Sequence, residues 1–514
     1  YADVTIEPTP KAQITNNDQV VCNGEAITGM DVSSLATHTL AESFNMTITA
    51  LSGNLGDLTA TGNVLTPVTG GSYTHTINGT LTNGTDDPIE IEYRVTPLLA
   101  GCANGPDVTA TIVVEPTPEA AISNNTQTIC DSATIADMVV TSVTTHDGTP
   151  QFDMVIVPTT GLLTNLSTTG NALTAVSNQS YPYTISGEIE NNSDAAIVIE
   201  YRVDPELSGC SDGDRVIAEI TIEPTPKAAI SNGGQVLCDG GTLTHLDVTS
   251  LTTATAAQSF NLAIVATQGA LGDLTPTGNA LNTGSGIGYP YSINGTLTNE
   301  TDDLIIIEYR ATPRLSGCSN GIPAVAEVRI EPTPKASISN NTQTLCDGEA
   351  LNDMLVSPAT THDGTPTFDM SITALSGDLG DLTATGNALT SVTGGSYNHT
   401  ISGTLTNDTD APIVVEYRVT PLLAGCTNGA DSVATITVEP TPKAAISNGG
   451  QVLCDGGPLT PLEVTRLTSA TGTERFNLAI VATTGVLDSL SATGNALNTQ
   501  TDQTYPFTIS GNLT

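Results

Sequence analysis

Nine cysteines keep time along the chain: Cys22, Cys102, Cys130, Cys210, Cys238, Cys318, Cys346, Cys426 and Cys454, at intervals alternating between 80 and 28 residues. No Cys-x-x-Cys pair or neighbouring histidine gives them zinc spacing, so the chemistry they point to is structural disulfide formation in an oxidising compartment. Two pairings fit the alternation. One lies within a repeat (Cys22 with Cys102, and likewise 130–210, 238–318 and 346–426), leaving Cys454 a partner about twenty residues past the end. The other crosses between repeats, as Cys102 with Cys130. The stretches before the early cysteines, such as Asn16-Asn17-Asp18 and Asn232-Gly233-Gly234, tolerate the positive φ of a tight turn. A reversal there returns Cys22 toward the pole where the chain came in, which favours the pairing within a repeat. Closing such a loop stabilises by about 4 kcal/mol in the chain-entropy picture.

Other candidate chemistry is thin. The six histidines are scattered; His38, His146 and His362 share one loop position that is Ala254 in the third copy. No metalloprotease, nucleophile-elbow or phosphate-loop motif occurs, and the reading is of a protein that is not an enzyme. Asp86-Asp87 and Asp302-Asp303 offer the paired carboxylates Ca²⁺ takes. Their counterparts are Asp194-Ala195 and Asp410-Ala411, so the second carboxylate does not recur and a solvated loop is the better reading; no cofactor is expected otherwise. Asn-x-Ser/Thr triplets (Asn78, Asn83, Asn294, Asn299) arise readily in a Thr-rich chain. Asp-Ser followed by a small apolar residue, at Ser132, Ser432 and Ser489, resembles a bacterial O-glycosylation signal. The lysines all sit beside the linkers, which argues against an intramolecular isopeptide.

The elements that hold these residues repeat every 108 positions. Glu-Pro-Thr-Pro recurs at Glu7-Pro8-Thr9-Pro10, Glu115-Pro116-Thr117-Pro118, Glu223-Pro224-Thr225-Pro226, Glu331-Pro332-Thr333-Pro334 and Glu439-Pro440-Thr441-Pro442. Proline cannot donate to a ladder and pushes the residue before it toward extended backbone, so each tetrapeptide reads as a stiff strut ending one unit and starting the next. The implied division is 1–10 (end of a preceding repeat plus linker), 11–118, 119–226, 227–334, 335–442 and a truncated 443–514. Units of this size can bury their own cores, which makes an array of domains rather than a solenoid. Both ends fall inside a unit, the mark of a window into a longer protein.

Within a unit the signal is β. Ile89–Val95 alternates apolar and polar residues; Val108–Val114, Ser43–Thr49 and Tyr73–Leu81 are similar runs, separated by turns at Thr61-Gly62-Asn63, Asn78-Gly79 and Asn83-Gly84. The expected fold is all-β: tandem Ig-like antiparallel sandwiches of about 108 residues forming an extended rod. With no Trp and only 6 Phe, the cores should be aliphatic, the disulfide replacing some aromatic packing. Tyr93, Tyr201, Tyr309 and Tyr417 should turn inward and find a backbone partner for the hydroxyl. Glu90, replaced by Val198, Ile306 and Val414, marks either a lateral contact or a position under a loop. The net charge of −41 excludes nucleic acid and anionic membranes as partners, and no run approaches the length of a membrane span.

The combination Ile91-Glu92-Tyr93-Arg94-Val95-Thr96-Pro97, Gly101-Cys102-Ala103-Asn104-Gly105 and Val108 to Pro118 resembles the PKD-like and related Ig-like repeat modules of giant bacterial surface proteins exported by type IX secretion. The resemblance covers every repeat. It implies very long secreted chains at the cell surface, acting as gliding-type adhesins or grappling-hook-like filaments. The expected function is a structural segment giving reach and tensile strength. Its partner would be further copies bundled laterally into a fibre, with a cell-surface or glycan target. The rival is a carbohydrate- or receptor-binding array, against which 4% aromatics weigh, or an accessory region of a secreted hydrolase.

Overall fold

The computed structural model describes residues 3–514. In the first repeat ten strands form: Ala12–Ile14 (β1), Gln19–Val21 (β2), Met30–Ser34 (β3), Glu42–Ala50 (β4), Leu58–Ala60 (β5), Val68–Gly71 (β6), His75–Ile77 (β7), Leu81–Asn83 (β8), Ile89–Leu99 (β9) and Val108–Val114 (β10). One sheet has the order β2-β10-β9-β4-β6 and faces a three-stranded sheet β1-β3-β7, with β5 and β8 paired beside it. This is an all-β sandwich of Ig-like build, repeated along the chain. The alternation in β9 does what its period requires: Ile89, Ile91, Tyr93 and Val95 are buried while Glu90, Glu92 and Arg94 face out. The Tyr73–Leu81 run is two strands, not one. Gly79 separates them at φ +143°, where a Cβ would lie 2.0 Å from the Thr61 carbonyl oxygen.

Four core clusters follow one another, each confined to one 108-residue period. Each contains one of the recurring tyrosines, fully buried, whose hydroxyl donates to a backbone carbonyl 29 residues upstream: Tyr93 to Val64 (2.9 Å), Tyr201 to Ala172 (2.6 Å), Tyr309 to Ala280 (2.8 Å) and Tyr417 to Ala388 (2.7 Å). Burial pushes these phenols up, Tyr417 to about 12. The cores are not purely aliphatic. Phe44, Phe152, Phe260 and Phe368 are fully buried, with a tyrosine ring 5.0–5.5 Å away in each case, and the disulfides lie outside these clusters. Val198, Ile306 and Val414 are half-buried, and the amides of Val198 and Val414 donate to the hydroxyls of Thr160 and Ser376, at the ends of the paired strands Pro150–Thr160 and Thr367–Ser376.

The course of β1 and β2 differs from the reversal expected at Asn16-Asn17-Asp18. β1 pairs antiparallel with β3, whereas β2 pairs parallel with β10, Val21 opposite Val114. Asn16 (φ 53°) and Asp18 (φ 60°) kink the chain so that it changes sheets while continuing in the same direction. Cys22 is thereby delivered to the distal pole, level with the linker. The same switch occurs at 126–129, 235–237 and 342–345, each parallel to the last strand of its repeat. In the fifth repeat Ala444–Ile446, Leu462–Arg466 and Phe507–Ile509 form the three-stranded sheet. Val4 and Ile6, aligned with Ile112 and Val114, are 83% and 89% exposed and not in a strand; Tyr1 and Ala2 lie outside the described residues.

Candidate functional site: the joint between repeats

The linker is a packed joint. At its head Glu115 has its amide donating to the Val21 carbonyl (2.9 Å), which ties it to the first repeat. Its side chain, almost fully buried, reaches forward into the second: it accepts from the amides of Asp147 (3.0 Å) and Gly148 (3.3 Å) and lies 3.1 Å from His146 Nδ1. Glu331 repeats this with Asp363, Gly364 and His362. Where the histidine is absent, a hydroxyl substitutes. Glu223 accepts from Thr255 Oγ1 and from the amides of Thr255 (3.1 Å) and Ala256 (2.9 Å), and Glu439 accepts from the Thr471 hydroxyl and amide. Glu7 has both: the Thr39 hydroxyl, which keeps its carboxyl below the ordinary carboxylate range, and His38, whose Nδ1 lies 3.4 Å away. A buried carboxylate with several donors is stable where a bare one is not.

The linker threonine is fastened backward. Thr225, Thr333 and Thr441 donate to Asp131, Asp239 and Asp347, each the residue after a cysteine, and Thr117 accepts from Asn23 (2.7 Å). These three carboxylates also accept the amides of Asn191, Asn299 and Asn407. Asn83, Asn191, Asn299 and Asn407, 3–4% exposed, donate to the last carbonyl of the final strand, as Asn83 does to Val114 (3.0 Å). Asn83 and Asn299 are therefore buried structural amides rather than glycan acceptors. Prolines 116, 118, 224, 226, 332, 334 and 440 are buried as well, while Pro8 and Pro442 are exposed and Pro10 is buried.

The acidic loops meet the next repeat instead of lying free in solvent. Thr145 donates its amide to the Asp86 carbonyl (2.9 Å) and its hydroxyl to the Asp87 side chain; Thr361 does the same to Asp302 and Asp303. Lys227, Lys335 and Lys443 place their ammonium groups 2.5–2.7 Å from Asp194, Asp302 and Asp410. These half-exposed pairs contribute little individually. Among the described residues no group of three or more His, Cys, Asp or Glu is placed to hold a metal ion.

The disulfides overturn both pairings that the spacing suggested. Cys22 bonds Cys210, Cys130 bonds Cys318 and Cys238 bonds Cys426, each pair 188 residues apart and each joining the early cysteine of one repeat to the late cysteine of the next. The cause is the sheet switch. β2 carries Cys22 to the distal pole, and the late cysteine sits in the loop before the last strand, at the proximal pole of the following repeat. That loop is seated on the linker. A Cβ on Gly213 would lie 1.7 Å from the Pro118 carbonyl oxygen, and Gly105, Gly321 and Gly429 meet Pro10, Pro226 and Pro334 equally closely. Cys102, Cys346 and Cys454 are exposed and unpaired, and no cysteine of the sequence stands 188 residues from any of them in the direction this pairing takes. At the fourth joint, where nothing reaches Cys346, a cleft of about 580 Å³ opens, lined by Cys346, Asp347, Glu439, Pro442 and Thr471.

Of the remaining sequence candidates, Ser132 and Ser489 are exposed, while the Ser432 hydroxyl donates to the Ala336 carbonyl (2.8 Å). The part that the joint asparagines and the linker-contacting glycines play in the joint was not read from sequence, where Asn83 and Asn299 stood only as Asn-x-Thr triplets, although their recurrence every 108 residues could have shown it. No helix among the described residues is long and apolar enough to cross a membrane.

No protein-family model and no curated protein matches the chain. Among solved structures, the protocadherin gamma B4 extracellular domain is similar at 9% identity over 85% of this chain and 68% of its own, with a TM-score of 0.31. The ICAM-5 D1–D4 ectodomain fragment aligns at 11% identity over 84% of this chain and 100% of its own (TM-score 0.30), and titin domains I67–I69 at 8% over 63% and 99% (TM-score 0.33). Nothing about function follows from likeness at this level, and the all-β sandwich assignment rests on the sheets themselves.

Proposed function

We propose that the chain is a non-catalytic, tension-carrying segment of a long extracellular filament or giant repeat adhesin, giving reach between an anchor and a gripping end. The observation that carries this reading is the joint: three successive junctions are each closed by a buried linker glutamate, a linker threonine and a disulfide. Disulfides persist outside the cytosol, which supports an extracellular setting. The resemblance to type IX exported surface modules supports a bacterial cell-surface filament, with lateral bundling of copies as its assembly. The negative charge keeps single arrays soluble until they are bundled. Negative-stain images of the chain should show a straight rod of roughly 200 Å, from sandwiches about 40 Å long. A compact globule would refute the proposal, and tight binding of a single glycan class by a two-repeat length would replace it with the recognition-array reading.

A further inference from the structure

We infer that the disulfides convert the array into two interlaced covalent straps that carry tension past the sandwiches, making the filament nearly inextensible while oxidised. The route is read from connectivity. A chain entering at Cys22 crosses directly to Cys210, runs 28 residues to Cys238, and crosses again to Cys426, from which 28 residues lead to Cys454. The second strap runs from Cys102 through 28 residues to Cys130, across to Cys318, and through 28 residues to Cys346. Each strap advances two repeats for 28 residues of backbone.

Those 28 residues are already extended in the fold. From Cys102 the chain follows β10, the proline linker, Ala120–Ile122 and Thr126–Ile129 to Cys130, from the proximal pole of one repeat to the distal pole of the next. Fully stretched they reach about 95 Å, against about 80 Å for two sandwiches in a row. Unfolding a sandwich therefore releases almost no length along the line of force. Inside each repeat the straps lie side by side: Thr126–Ile129 of one pairs in parallel with Glu219–Ile222 of the other, and Gln235–Leu237 with Val328–Ile330. Load is shared by hydrogen-bonded strands running in the same direction, with the rest of each sandwich held off the tension path. The straps are present whether or not the chain serves adhesion, so their test is separate from that of the proposed function.

Two measurements on the full chain decide it. Pulled by its ends in a force spectrometer, the oxidised protein should extend to only about 480 Å, because roughly 140 residues lie on the shortest covalent route and only the 28 from Cys210 to Cys238 lie between Cys22 and Cys426, the rest being the end segments outside the strap; after reduction it should reach about 1,800 Å. Cysteine pairs closed within repeats would instead allow about 680 Å, and that length, or full extension without reductant, would overturn the inference. Secondly, a protease site inserted between Ala103 and Asn104, in an exposed loop, is cut in the folded protein. The two pieces should stay together on a non-reducing gel and part on a reducing one, because the cut lies inside the loop closed by Cys22 and Cys210. Separation without reductant sinks the strap.

Discussion

At the scale of single residues, the linker glutamate turns a boundary into a joint. Replacing Glu115 by alanine leaves the amides of Asp147 and Gly148 without their acceptor in a buried site. The expected cost is about 3 kcal/mol, seen as faster hydrogen exchange at 147 and 148 with exchange in the β9–β10 core unchanged. Glu7 supplies the pH dependence. Its carboxyl is depressed by the Thr39 hydroxyl, so its contribution is present above the ordinary glutamate value and is lost as pH falls through the depressed one. The Thr39 amide, followed by NMR through an acid titration, should stay protected at pH 5 and open only below the ordinary glutamate range near 4.5. The proline bracket made these glutamates visible in the sequence as punctuation. Their burial was not visible, because a linker carboxylate is ordinarily solvated and its donors lie 31–33 residues downstream.

At the scale of elements, β9 and β10 were legible because alternation is local: Ile89, Ile91, Tyr93 and Val95 announce one buried face without reference to anything else. β2 was not. Asn16-Asn17-Asp18 serves equally for a hairpin and for a switch of sheets, and only the partner strand, more than 90 residues away, decides between them. The disulfide pairing inherited that error. The buried phenylalanines were missed for a different reason: rarity in the composition hid a strict recurrence at 44, 152, 260, 368 and 476. The loop before the last strand is the element that closes the joint, and Gly213 lets it sit on Pro118. Gly213→Ala should lift it, so that thiol titration of the native protein finds five free cysteines where the parent has three, with the sandwich cores intact by circular dichroism.

At the scale of the whole molecule, the accessible surface of 25179 Å² far exceeds the roughly 18,000 Å² of a single compact body of this mass. The excess is what a succession of separate cores requires. Joints fixed by one covalent bond and several buried hydrogen bonds should bend little. Small-angle scattering should show the maximum dimension holding steady as temperature rises in the oxidised protein. In reductant its distribution should broaden, because only the linker and the hydrogen bonds remain to hold each angle. An unchanged distribution in reductant would assign the stiffness to the linker and its hydrogen bonds, without the disulfide.

The register of the disulfides bears on how such a gene can change. Each early cysteine is completed by whichever repeat comes next, so the partner is defined by adjacency and not by number. Recombination that adds or removes whole 108-residue units leaves every interior junction with its complementary thiols. Residues 229–241 of the third repeat recur unchanged as 445–457 in the fifth, and 144–150 of the second as 360–366 in the fourth, which is what such exchange leaves behind. Length can therefore drift from one generation to the next without orphaning a cysteine along the array.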